Sequence, residues 1–163
     1  VREKSALFVY LNRHCFNGLC RYNSKNEFNV PQGKYKTIYF PEKEMLEFHI
    51  RSQKAQFKTL DFRELFTLLE GQCAMVYCDP PYIPLSKGSS FTQYSKGGFS
   101  YEDQKDLRDC AENSESNVII SNSDTELTRG LYKNFELSTI EVNRSIGSRA
   151  DSRKKVREII AIN

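Results

Sequence analysis

From residue 53 onward the chain alternates between strand-like and helix-like segments, and that alternation limits the folds open to it. "AQFKTL" (55–60) reads as a short strand, "DFRELFTLLE" (61–70) as a helix that Asp61 can cap, and "CAMVYC" (73–78) as a buried strand. "SYEDQKDLRDCAE" (100–112) reads as a helix, with Ser100 and Asp103 spaced as a capping box. "NVIISN" (117–122) follows as a strand and "DTELTRGLYKN" (124–134) as a helix. "FELSTIEV" (135–142) and "VREIIAI" (156–162) are two strands joined by a basic, Ser-rich loop. Such a succession predicts an α/β fold, a largely parallel sheet with helices on its faces. The last two strands have no helix between them and are expected to pair antiparallel.

The first 52 residues have a different character. Residues 1–12 have the apolar content of a helix, and "PEKEMLEFHIRS" (41–52) is a helix with Pro41 at its first turn. Between them, residues 13–40 are rich in Asn, Gly, Lys, Arg and aromatics with no helical period, the signature of an ordered loop or small hairpin region. The expected division is therefore 1–52 and 53–163. Bulk properties narrow the class. No apolar run approaches the ~18 residues of a membrane span, and "VREKSALFVY" has no signal-peptide layout. The net charge of +3 says little about a polyanionic partner. Five cysteines, an odd number, argue against a disulfide framework. The Cys15/Cys20 and Cys73/Cys78 pairs are too loosely spaced for a zinc site, and no His lies near the second pair, so no metal is expected.

The segment "MVYCDPPY" (75–82) places an acid, two prolines and an aromatic ring at one strand end. Ligands in open α/β sheets bind at the carboxyl ends of strands. Tandem prolines fix φ twice and remove two N–H donors, so the corner is extended and its carbonyls lack competing donors. The Asp79 carboxylate and the Pro80 carbonyl then form a pair of acceptors suited to a group with two N–H hydrogens, such as the exocyclic amine of a nucleobase. Accepting both hydrogens would draw the amine's lone pair out of ring conjugation. Tyr82 offers a stacking face worth about 1–3 kcal/mol per base. The alternative is a tight proline turn that ends a strand, with Asp79 as a cap.

"DPPY" is the catalytic motif of the amino-methyltransferases that act on adenine N6 or cytosine N4 in DNA. The surrounding words resemble the Dam-type (D12 class) DNA adenine-N6 methyltransferases. "LNRHCFNGLCRYNSKNEFNVPQGKYK" (11–36) resembles that family's target-recognition region, and "GFSYEDQ", "VIISNSD" and "VNRSIGSRADSRKKVREIIAI" resemble its later blocks in order. The resemblance covers nearly the whole chain. It implies a partial Rossmann-like methyltransferase sheet with a small helical and loop region that reads double-stranded DNA. It also implies methyl transfer from S-adenosylmethionine to a flipped adenine, with GATC as the target, in a bacterial or phage-encoded cytoplasmic protein. By the same resemblance Asp79, Pro80, Pro81 and Tyr82 form the catalytic corner, and Asp61, Phe62 and Asp79 lie against the cofactor. Arg21 reads a guanine edge, Leu19 and Pro31 contact a thymine methyl, and Phe16 wedges into the base stack. Asn17, Asn29, Lys34 and Tyr35 are supporting or phosphate contacts. Lys34 stands where the family often has Arg and cannot copy a bidentate contact. Without the resemblance, Asp61 and Phe62 read as a helix cap and a core aromatic, and residues 13–40 as a polar surface loop.

The front of the family pattern is missing from this sequence. The aromatic-x-Gly-x-Gly loop that cradles the methionine part of the cofactor is not among these residues, nor is the acid that grips its ribose. The expected sheet order is 3-2-1-4-5-7-6, with "AQFKTL" third and "CAMVYC" fourth, so the first two strands are not supplied here. The expectation is that the 163 residues alone do not form a stable, active monomer. A separate polypeptide or a segment outside these residues would supply the strands, or the fold would close differently. The competing expectation is a non-catalytic DNA-binding remnant.

Overall fold

A computed structural model describes residues 2–84, 98–143 and 155–163. The chain divides into two compact units, Val1–Lys58 and Thr59–Asn163.

The first unit begins with α1 (Arg2–His14), whose Glu3 near the N-terminus and Arg13 and His14 near the C-terminus suit the helix dipole. A 3₁₀ turn (Phe16–Gly18) follows, with Asn17 and Gly18 both in the left-handed region at φ 53° and 64°. Residues 15–32 then form a loose hairpin held at two bridges, Cys15 with Gln32 and Tyr22 with Phe28. Asn23 makes the turn, since its Oδ1 accepts from the N–H groups of Lys25 and Glu27. The unit closes with α2 (Glu42–Ser52), with Pro41 at its N-cap. Cys15 is buried at the meeting point of α1 and the hairpin.

Among the described residues the second unit is a four-stranded sheet with three helices. Its elements are α3 (Phe62–Leu68), β1 (Met75–Cys78), α4 (Tyr101–Glu112), β2 (Asn117–Ser123), α5 (Glu126–Leu131), β3 (Glu136–Asn143) and β4 (Lys155–Ile162). The strand order is β1-β2-β4-β3. Only β1 and β2 run parallel; β4 is antiparallel to both neighbours, so the sheet is not largely parallel among the described residues. The reason is local: a parallel return needs a crossover of a dozen or more residues, fewer than that lie between Asn143 and Lys155, and β4 therefore runs back antiparallel to β3 and inserts beside β2. The order of these four strands is the 4-5-7-6 order expected for them. "AQFKTL", expected as a strand, forms none. No described strand lies alongside it, and an unpaired strand leaves its N–H and C=O groups unsatisfied.

Alternation along the strands separates two faces. Val76, Val118, Ile120, Ile159 and Ala161 face a core shared with Phe66, Leu107, Ala111, Leu131, Tyr132 and Phe135. On the opposite face Met75 and Tyr77 are 75% and 63% exposed, so β1 is half-buried rather than buried throughout. Among the described residues β1 pairs on one side only. The expected caps hold. Asp61 accepts from the Arg63 N–H, and Ser100 and Asp103 form the reciprocal box at α4. A second box joins Thr125 and Thr128 at α5. The polar segment 83–99 and the basic loop between the last strands lie mostly outside the described residues.

Candidate active site and nucleic-acid interface

The second unit places Asp79 immediately beyond the carboxyl end of β1. Register sets its neighbour: Cys78 faces Ile120, so the next residue of β2, Ser121, comes level with Asp79. Ser121 Oγ donates to Asp79 Oδ1 at 3.2 Å and accepts from the Tyr77 hydroxyl at 3.0 Å. Asp79 is exposed, and among the described residues no hydrogen bond reaches its second oxygen or the Pro80 carbonyl. Both expected acceptors thus retain their lone pairs. Tyr82 is half-buried, and its hydroxyl donates to Glu158 Oε2 of β4 at 3.2 Å. Burial pushes the Tyr82 phenol upward, and the Glu158 and Asp79 carboxylates add to that while a hydrogen bond with Ser121 opposes it. The hydroxyl therefore stays protonated at neutral pH and anchors the ring through its hydrogen bond to Glu158.

Beneath the corner lies a buried polar cluster that the sequence did not flag. Gln104 of α4 donates from Nε2 to the Pro81 carbonyl at 2.7 Å. Its Oε1 accepts from Asn122 Nδ2 at 3.1 Å and from the Tyr132 hydroxyl at 3.4 Å. Asn122 Oδ1 accepts from the N–H groups of Ile83 and Ser123. Burial pushes the Tyr132 phenol up to about 12. The available signal was the run Ser121-Asn122-Ser123, polar residues where an apolar strand ends.

The residues expected near a cofactor are partly committed elsewhere. Asp61 caps α3 and also meets Arg63 Nη1 at 3.3 Å through both oxygens. Phe62 packs against Phe99 with ring centroids 5.6 Å apart, and the Arg63 guanidinium lies over its ring at 4.3 Å. What remains is an exposed carboxylate with spare lone pairs beside an aromatic ring, a donor set compatible with a nucleoside base and its amine. The five cysteines are all free thiols.

In the first unit, Phe16, Asn17, Pro31, Lys34 and Tyr35 line one hollow of about 450 Å³ together with Gln32 and Gly33. The Pro31 carbonyl accepts from the Phe16 N–H at 2.8 Å, and the Tyr35 hydroxyl donates to the Cys15 carbonyl at 3.0 Å. Phe16 and Tyr35 are each 45% exposed. Arg21 and Asn29 form a separate pair on the hairpin. Arg21 donates from Nε to Asn29 Oδ1 at 2.9 Å and from Nη2 to the Asn29 carbonyl at 3.1 Å. Three of the five guanidinium hydrogens are left at the outer end, enough for a two-pronged contact. Leu19 is half-buried, with its carbonyl accepting from Cys15 Sγ at 3.1 Å.

Comparison with known proteins adds to this geometry. The model of the D12 class N6 adenine-specific DNA methyltransferase family matches residues 1–146. The chain is 45% identical to the DNA adenine methylase of Haemophilus influenzae over 98% of its own length and 57% of that protein's. It is 46% identical to the DNA adenine methylase of Salmonella typhi and 44% identical to that of Escherichia coli, covering 98% of this chain and 58% of each relative. The chain therefore spans somewhat under three-fifths of these relatives' length. By the extent of both matches, the chain belongs to the D12 class N6 adenine-specific DNA methyltransferase family.

Proposed function

We propose that this chain carries the amine-receiving corner and the target-reading region of an S-adenosylmethionine-dependent DNA adenine-N6 methyltransferase, with GATC as its site. The observation that carries the reading is a pair of acceptors that no hydrogen bond among the described residues reaches, exposed Asp79 Oδ2 and the carbonyl of buried Pro80, beside a Tyr82 ring anchored by Glu158. A base inside a duplex cannot reach such a corner, so the adenine is extruded first. Tyr82 stacks on the extruded ring, and the two acceptors take the amine's hydrogens. The nitrogen lone pair is then aimed rather than deprotonated, which is stabilisation by fixed dipoles. S-adenosylmethionine, when bound, supplies the methyl group, and Asp61, Phe62 and Asp79 are the residues here that would hold it.

In the first unit, Arg21 presents its free fork to a guanine edge, with Asn29 holding the guanidinium in place. Phe16 is the wedge, and Leu19 and Pro31 give apolar contact to a thymine methyl. Asn17, Lys34 and Tyr35 surround the hollow beside that wedge. The remaining length of the relatives leaves room for a segment outside these residues that completes the cofactor site and covers the open edge of β1. The test is methyl transfer by the encoded protein onto duplexes with and without GATC, read as N6-methyladenine by mass spectrometry. Methylation confined to GATC supports the reading. DNA binding without any methylation would favour the DNA-binding remnant instead.

A further inference from the structure

We infer that Gln104, oriented by Asn122, is a positioning residue that fixes the Asp79–Tyr82 corner from the helix side of the sheet. The inference rests on the methyl-transfer reading above for its catalytic consequence, though not for the clamp itself.

The corner has an anchoring problem. Pro80 and Pro81 cannot donate hydrogen bonds, so no backbone ladder can hold the chain between Asp79 and Tyr82. Two side-chain amides do it instead. Gln104 Nε2 holds the carbonyl of Pro81, and Asn122 Oδ1 holds the N–H of Ile83. Tyr82 is the residue between those two grips. Gln104 is 3% exposed and Asn122 is 0% exposed, so neither grip is exchanged for water.

The orientation of each amide is forced by the one before it. Asn122 Oδ1 is occupied by two backbone N–H groups, those of Ile83 and Ser123. Asn122 must therefore turn Nδ2 toward Gln104. Gln104 must answer with Oε1, which also accepts from Tyr132. Its Nε2 is then left to face the Pro81 carbonyl. The relay starts at rigid backbone and ends at the corner, with no freedom for a flip along the way.

Successive residues of β2 serve opposite faces. Ser121 holds Asp79 on the open face, while Asn122 works from the helix face. The corner is gripped from below and presents its acid and ring above. Fixing a reacting group to a fraction of an ångström is what such support supplies to catalysis.

Two variants of the encoded protein test the relay. Q104M keeps the side-chain volume and removes both the donor and the acceptor. N122D keeps the grip on Ile83 and Ser123 but turns an oxygen toward Gln104, which must flip and set Oε1 against the Pro81 carbonyl. Both should lower kcat by about tenfold or more, with KM for DNA and for S-adenosylmethionine changed by less than about threefold. In hydrogen exchange of the folded variants, the Ile83 amide in Q104M should lose about tenfold of its protection while those of β2 keep theirs. Unchanged kcat and unchanged Ile83 protection in Q104M would overturn the inference. If wild type transfers no methyl group but Q104M still loosens Ile83, the functional reading fails and the clamp stands. Should N122D not fold, Q104M decides alone.

Discussion

Asp103 ties the start of α4 to α3 and lies next to Gln104. Its Oδ2 accepts from the Ser100 N–H at 2.7 Å and from the Ser100 hydroxyl at 2.6 Å. Its Oδ1 accepts from Arg63 Nη2 at 2.6 Å. The Ser100 hydroxyl, then Arg63, then the Ser100 N–H hold the carboxyl down at about 2, against an ordinary value of 3.8. Such a shift corresponds to about 2.5 kcal/mol of preference for the ionised form in the folded state. The carboxylate is 27% exposed, and water screens the Arg63 pair, so about 1 kcal/mol is the realistic share. In D103N the amide can still accept from Ser100, but it faces Arg63 without a charge. At pH 7 the substitution should therefore lower Tm by about 4 °C for a unit of this size.

The sign of the pH dependence follows from the depressed folded value. Stability from this carboxylate is fully present above its unfolded pKa of about 4 and is lost as pH falls through the folded value near 2. The Tm gap between wild type and D103N should thus be constant from pH 7 to about pH 5. No more than about half of it should remain at pH 3. Melting both proteins by circular dichroism across that range is the assay. A gap of the same size at pH 7 and pH 3, or none at pH 7, would refute the reasoning.

Three further outcomes are expected. Asp79→Ala should abolish methyl transfer while DNA affinity stays within about tenfold, as loss of an interaction made mainly in the transition state does; a near wild-type methylation rate would sink the amine-receiving role. Arg21→Ala should relax sequence choice at one base pair by about 1–3 kcal/mol, whereas Lys34→Ala should weaken all duplexes alike and reduce the salt slope by about 1; equal loss on cognate and scrambled duplexes for Arg21→Ala would make it a phosphate contact. Gly33→Ala would place a Cβ 2.1 Å from Tyr35 Cε2, so the ring must move and the Tyr35–Cys15 hydrogen bond break, with about 1 kcal/mol lost and Phe16-side contacts to DNA weakened; an unchanged Tm and Kd would contradict this packing.

Local chemistry was legible in the sequence and partnership was not. The caps at Asp61 and Ser100 depend on residues two or three positions apart, and both formed as expected. The strands of β2, β3 and β4 announced themselves by apolar content. "AQFKTL" has the same local signal, yet a strand requires a neighbour, and its sequence carries no word about one. Met75 and Tyr77 likewise look like core residues until the side of β1 they occupy is known. Asp79 and Tyr82 could be singled out as candidates because two prolines beside an acid and a ring form an unusual local pattern. Gln104 was unreadable for the opposite reason: within "SYEDQKDLRDCAE" it is one polar residue among nine, and only the packing of α4 on the sheet buries it.

The polar residues under the corner work against the fold that contains them. Gln104, Ser121, Asn122, Ser123 and Thr128 lie in or beside an apolar core, each 3% exposed or less. Burying an amide or hydroxyl without a partner costs about 1–3 kcal/mol in proteins. No buried side-chain nitrogen or oxygen among the described residues lacks a hydrogen bond. Full pairing removes the penalty, but it yields less than the close packing that Leu or Val would give at the same positions. Stability alone therefore does not account for the cluster. Thr128 serves the α5 cap, but bonds from Gln104, Asn122 and Ser121 converge on one place: two reach the backbone at Pro81 and Ile83, and one reaches the Asp79 carboxylate. The network immobilises the stretch from Asp79 to Ile83, whose two prolines are stiff but have no N–H of their own. Under the methyl-transfer reading, a corner so held would have its acceptors fixed before a base arrives, which is the condition for electrostatic stabilisation without reorganisation.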